Sequence, residues 1–378
     1  MNFKNVLFIF IILTTASAIK KSYDGYSLYK IIPKVDSETI NYVTTFASRV
    51  IDDQLNPATI RTSQSYLSYS WSAYHDLDTI YNWLDELQTN HPNVVRTVVM
   101  GNSVENREIK GIIINHHPER ANPLYGILEG TLHAREWISA ATVTWIIKEF
   151  LTSSDPEVRA LAENFEWHVF PVVNPDGYAY TFSDNRMWRK NRSPASSTTC
   201  AEGVDNDMSH AIGASQDACT NTYAGPTPFS EPESRAIANY VGSLKERGEI
   251  IYYIAFHSYT QLIIIPYSHV FSEDSLLSGN YAADALKKRY GTDYRVGLSA
   301  NVMYRMSGAS FDWVKYAHNV PITYLFELRD LGEFGFLLPA EQIVPTGLET
   351  MDALVEMDKT TRRLRYYYPS SGIEESQF

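Results

Sequence analysis

From Tyr69 onward, short apolar runs alternate with longer segments in which apolar positions recur every three or four residues. The stretch LDTIYNWLDEL puts Ile80, Trp83, Leu84 and Leu87 on one side of a helix. VVRTVVM, IKGIIIN and LYGILEG follow as candidate strands, SAATVTWIIKEFL as a helix, and WHVFPVV as a strand apolar on both faces. IIYYIAFHS, QLIIIPY and PITYLFEL extend the series of strands, and NYAADALKKRYG is a helix with a glycine stop. Alternation of this kind predicts an α/β fold, a three-layer α/β/α arrangement around a mixed, largely parallel central sheet. It runs over 69–360 as one large domain without internal repeats, leaving 361–378 as a C-terminal tail.

The N-terminal end has a different texture. MNFKNVLFIFIILTTASA carries Lys4, an apolar run from Val6 to Leu13 and the small residues Ala16-Ser17-Ala18, the layout of a secretory signal peptide over 1–18. Its apolar run is short for a membrane span, and no later segment is long and apolar enough to cross a bilayer. A secreted, extracellular protein is the expectation. YSLYKIIP and SETINYVTTFASRVID then read as a strand and a helix, and NPATIRTSQS as a polar linker. Residues 19–61 are expected to form a truncated pro-segment, with Arg61 the point where a trypsin-like activating protease would cut. An extension that stays attached is the alternative.

Composition narrows the field. The 378 residues are 44% hydrophobic and 20% charged, ample for a sizeable core. A net charge of −12 with no compensating basic stripe argues against a nucleic-acid partner. Cys200 and Cys219, the only cysteines, are expected to form one disulfide in an exported chain, with a pair of core thiols as the alternative.

Candidate chemistry lies just past the apolar runs. His133 and Glu136 follow LYGILEG, His257 sits in the last residues of IIYYIAFHS, and Glu327 in those of PITYLFEL. Ligands of open α/β sheets bind beyond the carboxyl ends of strands, so three strands would deliver His, Glu, His and Glu to one edge. Two imidazoles and a carboxylate suit one catalytic Zn2+, and a second carboxylate suits a general base. Any one of these residues alone would read as an ordinary surface or hydrogen-bonded side chain.

The motifs around these positions resemble those of the zinc metallocarboxypeptidases of the pancreatic A/B type, from about Trp71 to Leu354: HAREW, NPDGY, DNRMWRKNRS, FHSYTQLIIIPY, YRMSGASFDW and FELRDLGEFGFLLP. The resemblance implies that His133, Glu136 and His257 hold zinc and that Glu327 takes a proton from the attacking water and passes it to the leaving amine. It implies that Arg189 stabilises the oxyanion and Arg135 orients substrate. Tyr304 would close over the terminal residue, and Phe336 would line the outer cleft. Asp205 would fix the tautomer of His133, and Phe311 would be the specificity residue of an apolar pocket. Non-proline cis bonds are implied at Ser258-Tyr259, Pro266-Tyr267 and Arg329-Asp330. Peptide or protein substrates and a monomeric zymogen follow from the same likeness.

One departure stands out. The family follows its GVD segment with an Asn-Arg pair that grips the substrate's terminal carboxylate, whereas this chain reads GVDNDMSHAIGASQDAC and has no Arg or Lys between Arg192 and Arg235. An Arg–carboxylate pair is charge-assisted and often bidentate. Three readings therefore stand: a secreted carboxypeptidase with a preference for apolar terminal residues, a zinc-holding peptide-binding pseudo-enzyme, and an endopeptidase or amidase that ignores the free carboxylate. Asn191-Arg192-Ser193 is also a glycosylation sequon, placed near the expected cleft.

Overall fold

The computed structural model describes residues 65–194, 203–205, 214–267 and 273–367. The expected signal peptide, the pro-segment with Arg61, Cys200, Asn206, Asp207 and the end of the expected tail lie outside them. Cys219 is joined in a disulfide.

A short hairpin, β1 (Ser65–Tyr66) and β2 (Tyr69–Ser70), leads into helix α1 (Leu77–Asn90). Asp76 caps α1 by accepting from Thr79 N at 2.9 Å, and Leu77, Ile80, Trp83, Leu84 and Leu87 form its buried face, as the spacing predicts. Then come β3 (Val95–Asn102), β4 (Glu108–Ile114), β5 (Leu124–Gly130), α2 (Trp137–Thr152), α3 (Pro156–Glu163), β6 (Phe165–Phe170) and α4 (Pro175–Ser183). The second half runs α5 (Pro232–Arg247), β7 (Ile250–Ser258), β8 (Leu262–Ile265), α6 (Glu273–Tyr290), β9 (Arg295–Leu298) and α7 (Ser299–Val302). It closes with α8 (Ser310–His318), β10 (Ile322–Leu328) and α9 (Ile343–Arg363).

Eight strands make one mixed sheet in the order β3-β4-β6-β5-β7-β10-β8-β9. The central neighbours β6, β5, β7 and β10 are mutually parallel, while β3-β4, β4-β6 and β10-β8 are antiparallel pairs. Strands β5, β6, β7 and β8 are buried almost throughout because helices cover both faces of the sheet. One apolar layer packs α1, α2, α3, α6 and α9 against residues such as Leu128, Trp167 and Ile254. The other packs α5 and α8 against Ile127, Tyr253 and Leu325. Adjacent residues of one strand thus feed opposite layers, giving the expected three-layer architecture. Among the described residues, no helix is long and apolar enough to cross a membrane.

The end of the domain runs past the expected boundary at 361. Helix α9 continues to Arg363, and Tyr367 is buried with its ring 4.8 Å from that of Phe165. Near the start of β7, Tyr252 donates to Asp358 Oδ1 at 2.9 Å. The Tyr367 hydroxyl donates to the same oxygen, and Arg362 Nε donates to Oδ2 at 3.1 Å. This fully buried carboxyl is therefore satisfied by two phenols and a guanidinium of its own chain.

Candidate active site

The bend after β5 is tied from several sides. Thr131 takes a left-handed φ of 57°, which a β-branched residue adopts only when its surroundings enforce it. Its N–H donates to Ser139 Oγ at 2.7 Å and its hydroxyl to Pro171 O at 3.1 Å. Gly130 leaves room for this: a Cβ there would lie 2.7 Å from Ser139 Oγ. Asn174, the cap of α4, donates to Leu132 O at 3.0 Å and Lys190 O at 3.1 Å, and Ala134 N donates to Arg189 O at 2.9 Å. The NPDGY segment thus clamps the His133 bend to the Arg189 segment.

The neighbouring parallel strands supply the remaining groups. Glu327 of β10 is the in-register partner of His257 of β7, so sheet pairing alone sets them side by side. His133, Glu136 and His257 offer ligand atoms that all lie within 4.8 Å of one another. His133 Nδ1 is 3.0 Å from His257 Nδ1; Glu136 Oε1 is 2.9 Å from the first, and Oε2 is 3.0 Å from the second. Ligands at zinc–nitrogen distance in a tetrahedral shell stand about 3.3 Å apart, so the spacing and the N, N, O donor set fit a zinc ion.

Charge at the centre is unevenly held. Burial alone would raise the Glu136 carboxyl, but His133 and His257 outweigh it and hold Glu136 well below the usual range. Burial lowers His133, helped by Arg189. Burial and then the neighbouring Glu136 push Glu327 up to about 8, against the pull of His257 and Arg189. One carboxylate is thereby kept charged and the other is poised to carry a proton.

Arg189 donates from Nε to Asp205 Oδ1 at 2.7 Å and from a terminal nitrogen to Oδ2 at 2.8 Å. Asp205 is therefore not the expected acceptor for His133. Both its oxygens are committed to Arg189, and Oδ1 stands 3.7 Å from His133 Nε2, too long for a hydrogen bond. Arg135, Arg189, Tyr304 and Phe336 line the same cleft of about 360 Å³ as His133, Glu136, His257 and Glu327. The Arg135 guanidinium lies 4.1 Å from the centre of the Phe336 ring, and Tyr304 is half exposed. Phe311 is not among the lining residues. It is fully buried among Ile264, Val314 and Leu325, because one residue of helical rotation turns it away from the cleft while Ser310 and Ala309 face in. Met303, Met306, Leu132 and Leu325 supply the apolar wall instead. The three cis peptide bonds are present at the expected positions.

Two features escaped the reading of the sequence. Glu129, inside the strand LYGILEG, is buried and accepts from Ser310 Oγ. An acid within an otherwise apolar buried strand was the available signal. Asn191, noticed only as a sequon, is fully buried. It donates to Glu231 Oε2 at 2.7 Å and Glu233 Oε2 at 3.0 Å and accepts from Val204 N at 2.8 Å. It thereby fastens the segments carrying Arg189 and Asp205 to the start of α5.

An α/β/α domain with two histidines, a glutamate ligand and a second glutamate at the carboxyl ends of adjacent parallel strands defines a zinc-dependent hydrolase. Residues 80–353 match the zinc carboxypeptidase family of peptidases, and the chain belongs to that family. It is 45% identical over 308 residues to a zinc carboxypeptidase of Simulium vittatum, covering 79% of this chain and 99% of the relative. It is 36% identical over 336 residues to human carboxypeptidase O, covering 85% and 87%. Among solved structures, carboxypeptidase A of Helicoverpa armigera superposes with a TM-score of 0.71 at 26% identity, covering 86% of each chain. Bovine thrombin-activatable fibrinolysis inhibitor, in complex with tick carboxypeptidase inhibitor, gives 0.70 at 31%, covering 78% of this chain and 99% of the other.

Proposed function

We propose that this metallocarboxypeptidase releases single residues from peptide C-termini and favours apolar or aromatic terminal side chains, which Met303, Met306, Leu132 and Leu325 would receive. The observation that carries the reading is the pairing of Glu327 with His257 in adjacent strands, which sets a carboxylate able to accept and release a proton beside the three candidate ligands. Zinc, when bound by His133, Glu136 and His257, supplies a Lewis acid to the scissile carbonyl and makes water more acidic. Glu327 takes the proton of the attacking water and hands it to the leaving amine. Arg189, held rigid by Asp205, offers positive charge where the carbonyl oxygen gains negative charge. Arg135 orients the peptide, Tyr304 folds over its terminal residue and Phe336 contacts it further out along the cleft. The signal-peptide layout of residues 1–18 and the polar linker around Arg61 also support export as a monomeric zymogen, with the pro-segment removed at Arg61 by a trypsin-like protease.

A peptide-binding pseudo-enzyme is the second reading, motivated by the lack of an Arg or Lys between Arg192 and Arg235. Zinc-loaded protein is incubated with a Leu-terminated peptide as free acid and as amide. Release of leucine from the acid alone, abolished in Glu327→Gln, is the expected result. Saturable binding without release establishes the pseudo-enzyme, and equal cleavage of the amide establishes an endopeptidase or amidase.

A further inference from the structure

Along β5, Tyr125, Ile127 and Glu129 face the layer formed with α5 and α8, and Glu129 is 1% exposed there. Ser310, the first residue of α8, donates its hydroxyl to Glu129 Oε1 at 2.5 Å and also lines the cleft beside Ala309, Leu132 and Leu325. Glu129 Oε2 completes no hydrogen bond of good geometry among the described residues, and the hydroxyl of Tyr253 is close by in the same apolar layer. Burial holds the Glu129 carboxyl above its ordinary range, against the opposing pull of Ser310, Tyr253 and His257.

A serine hydroxyl carries one proton and two lone pairs. With the proton committed to Glu129, what the oxygen of this cleft-lining serine has left to offer is acceptor capacity, backed by a carboxyl in low-dielectric surroundings. We propose that Glu129 is a positioning residue that sets specificity among polar terminal residues: by fixing the Ser310 hydroxyl, it gives the otherwise apolar cleft wall a hydrogen-bond acceptor that favours a side chain ending in a donor, such as glutamine, over the equally shaped glutamate. The apolar wall takes the stem of such a side chain and Ser310 reads its tip. The inference rests on the carboxypeptidase reading above.

The test uses three peptides that differ only in ending with Leu, Gln or Glu, with kcat/KM measured on the zinc-loaded protein at neutral pH. Gln is expected to exceed Glu by at least about tenfold, since a site built around one hydrogen-bond polarity discriminates strongly against the wrong one. Glu129→Gln provides an amide that can donate to Ser310 and turn its hydroxyl toward the cleft, so the Gln-to-Glu ratio is expected to collapse. Ser310→Ala removes the acceptor and is expected to lower the same ratio. A purely structural role for Glu129 would slow all three peptides alike and leave the ratio intact, which overturns the proposal. So does a wild-type preference for Glu, which would place the shared proton on the carboxyl. If Glu129→Gln does not fold, the ratio in Ser310→Ala decides alone. Cleavage of the Leu peptide with equal rates on Gln and Glu overturns this proposal and leaves the carboxypeptidase reading standing. Cleavage of none of the three removes both.

Discussion

Strand β7 carries a polar cluster near each end, and the two are built on opposite principles. Near its start, Tyr252 joins Tyr367 and Arg362 around Asp358, and every partner of that carboxylate comes from the chain itself. Near its carboxyl end, His257 faces His133 and Glu136 with three ligand atoms turned toward one point and Glu327 alongside. The first cluster is closed and pins α9 and the segment after it to the sheet. The second turns its ligand atoms toward one another, an N, N, O set within 4.8 Å that suits a zinc ion. Buried ionisable groups therefore signal a functional site when their ligand atoms converge on one point, and burial alone does not make that distinction.

Breaking the open cluster gives the largest effect. His257→Ala is expected to lose its zinc on dialysis and all turnover with it, whereas Asp358→Ala keeps full zinc content; metal analysis of the two variants after identical dialysis checks this contrast. Breaking the closed cluster moves stability. Removing Asp358 strips a buried pair of its acidic partner, and the midpoint of urea unfolding is expected to report a loss of about 3 kcal/mol. An Asp358→Ala protein as stable as the parent would mean that the cluster is decoration.

The smallest effect is a pH dependence of the open cluster after zinc is removed by chelation. Glu327 has its folded value raised from 4.5 to about 8. Its contribution to stability is thus present in full below about 4.5 and is lost as pH rises through 8, because the folded site must surrender a proton that the unfolded chain has already released. Metal-free Glu327→Gln escapes that loss. Relative to the metal-free parent it should gain thermal stability between pH 5 and pH 9, and melting curves at the two pH values show whether it does.

Much of this was legible in the sequence because apolar period and strand-end position are local signals. IIYYIAFHS and PITYLFEL announced both buried strands and the polar residues at their ends. The helices Pro232–Arg247 and Ile343–Arg363 were not read from the pattern, since each carries buried polar residues, such as Glu233 and Asp358, on its core face. Asp205 was placed in the right neighbourhood with the wrong partner, because a single carboxylate can serve either Arg189 or His133 and only side-chain geometry decides. Phe311 was assigned to the cleft from its place in YRMSGASFDW, yet one step along α8 separates a lining residue from a core residue. Glu129 was passed over because it lies inside a strand and attention fell on the residues beyond it.

Asn191 has a consequence for biosynthesis. Its amide nitrogen is the atom to which an N-linked sugar would be joined, and in the finished domain that nitrogen is enclosed between Glu231 and Glu233. No oligosaccharide fits in such a space. A glycan on Asn191 and the native structure are mutually exclusive, so a molecule that acquires one during synthesis is diverted from the folded form.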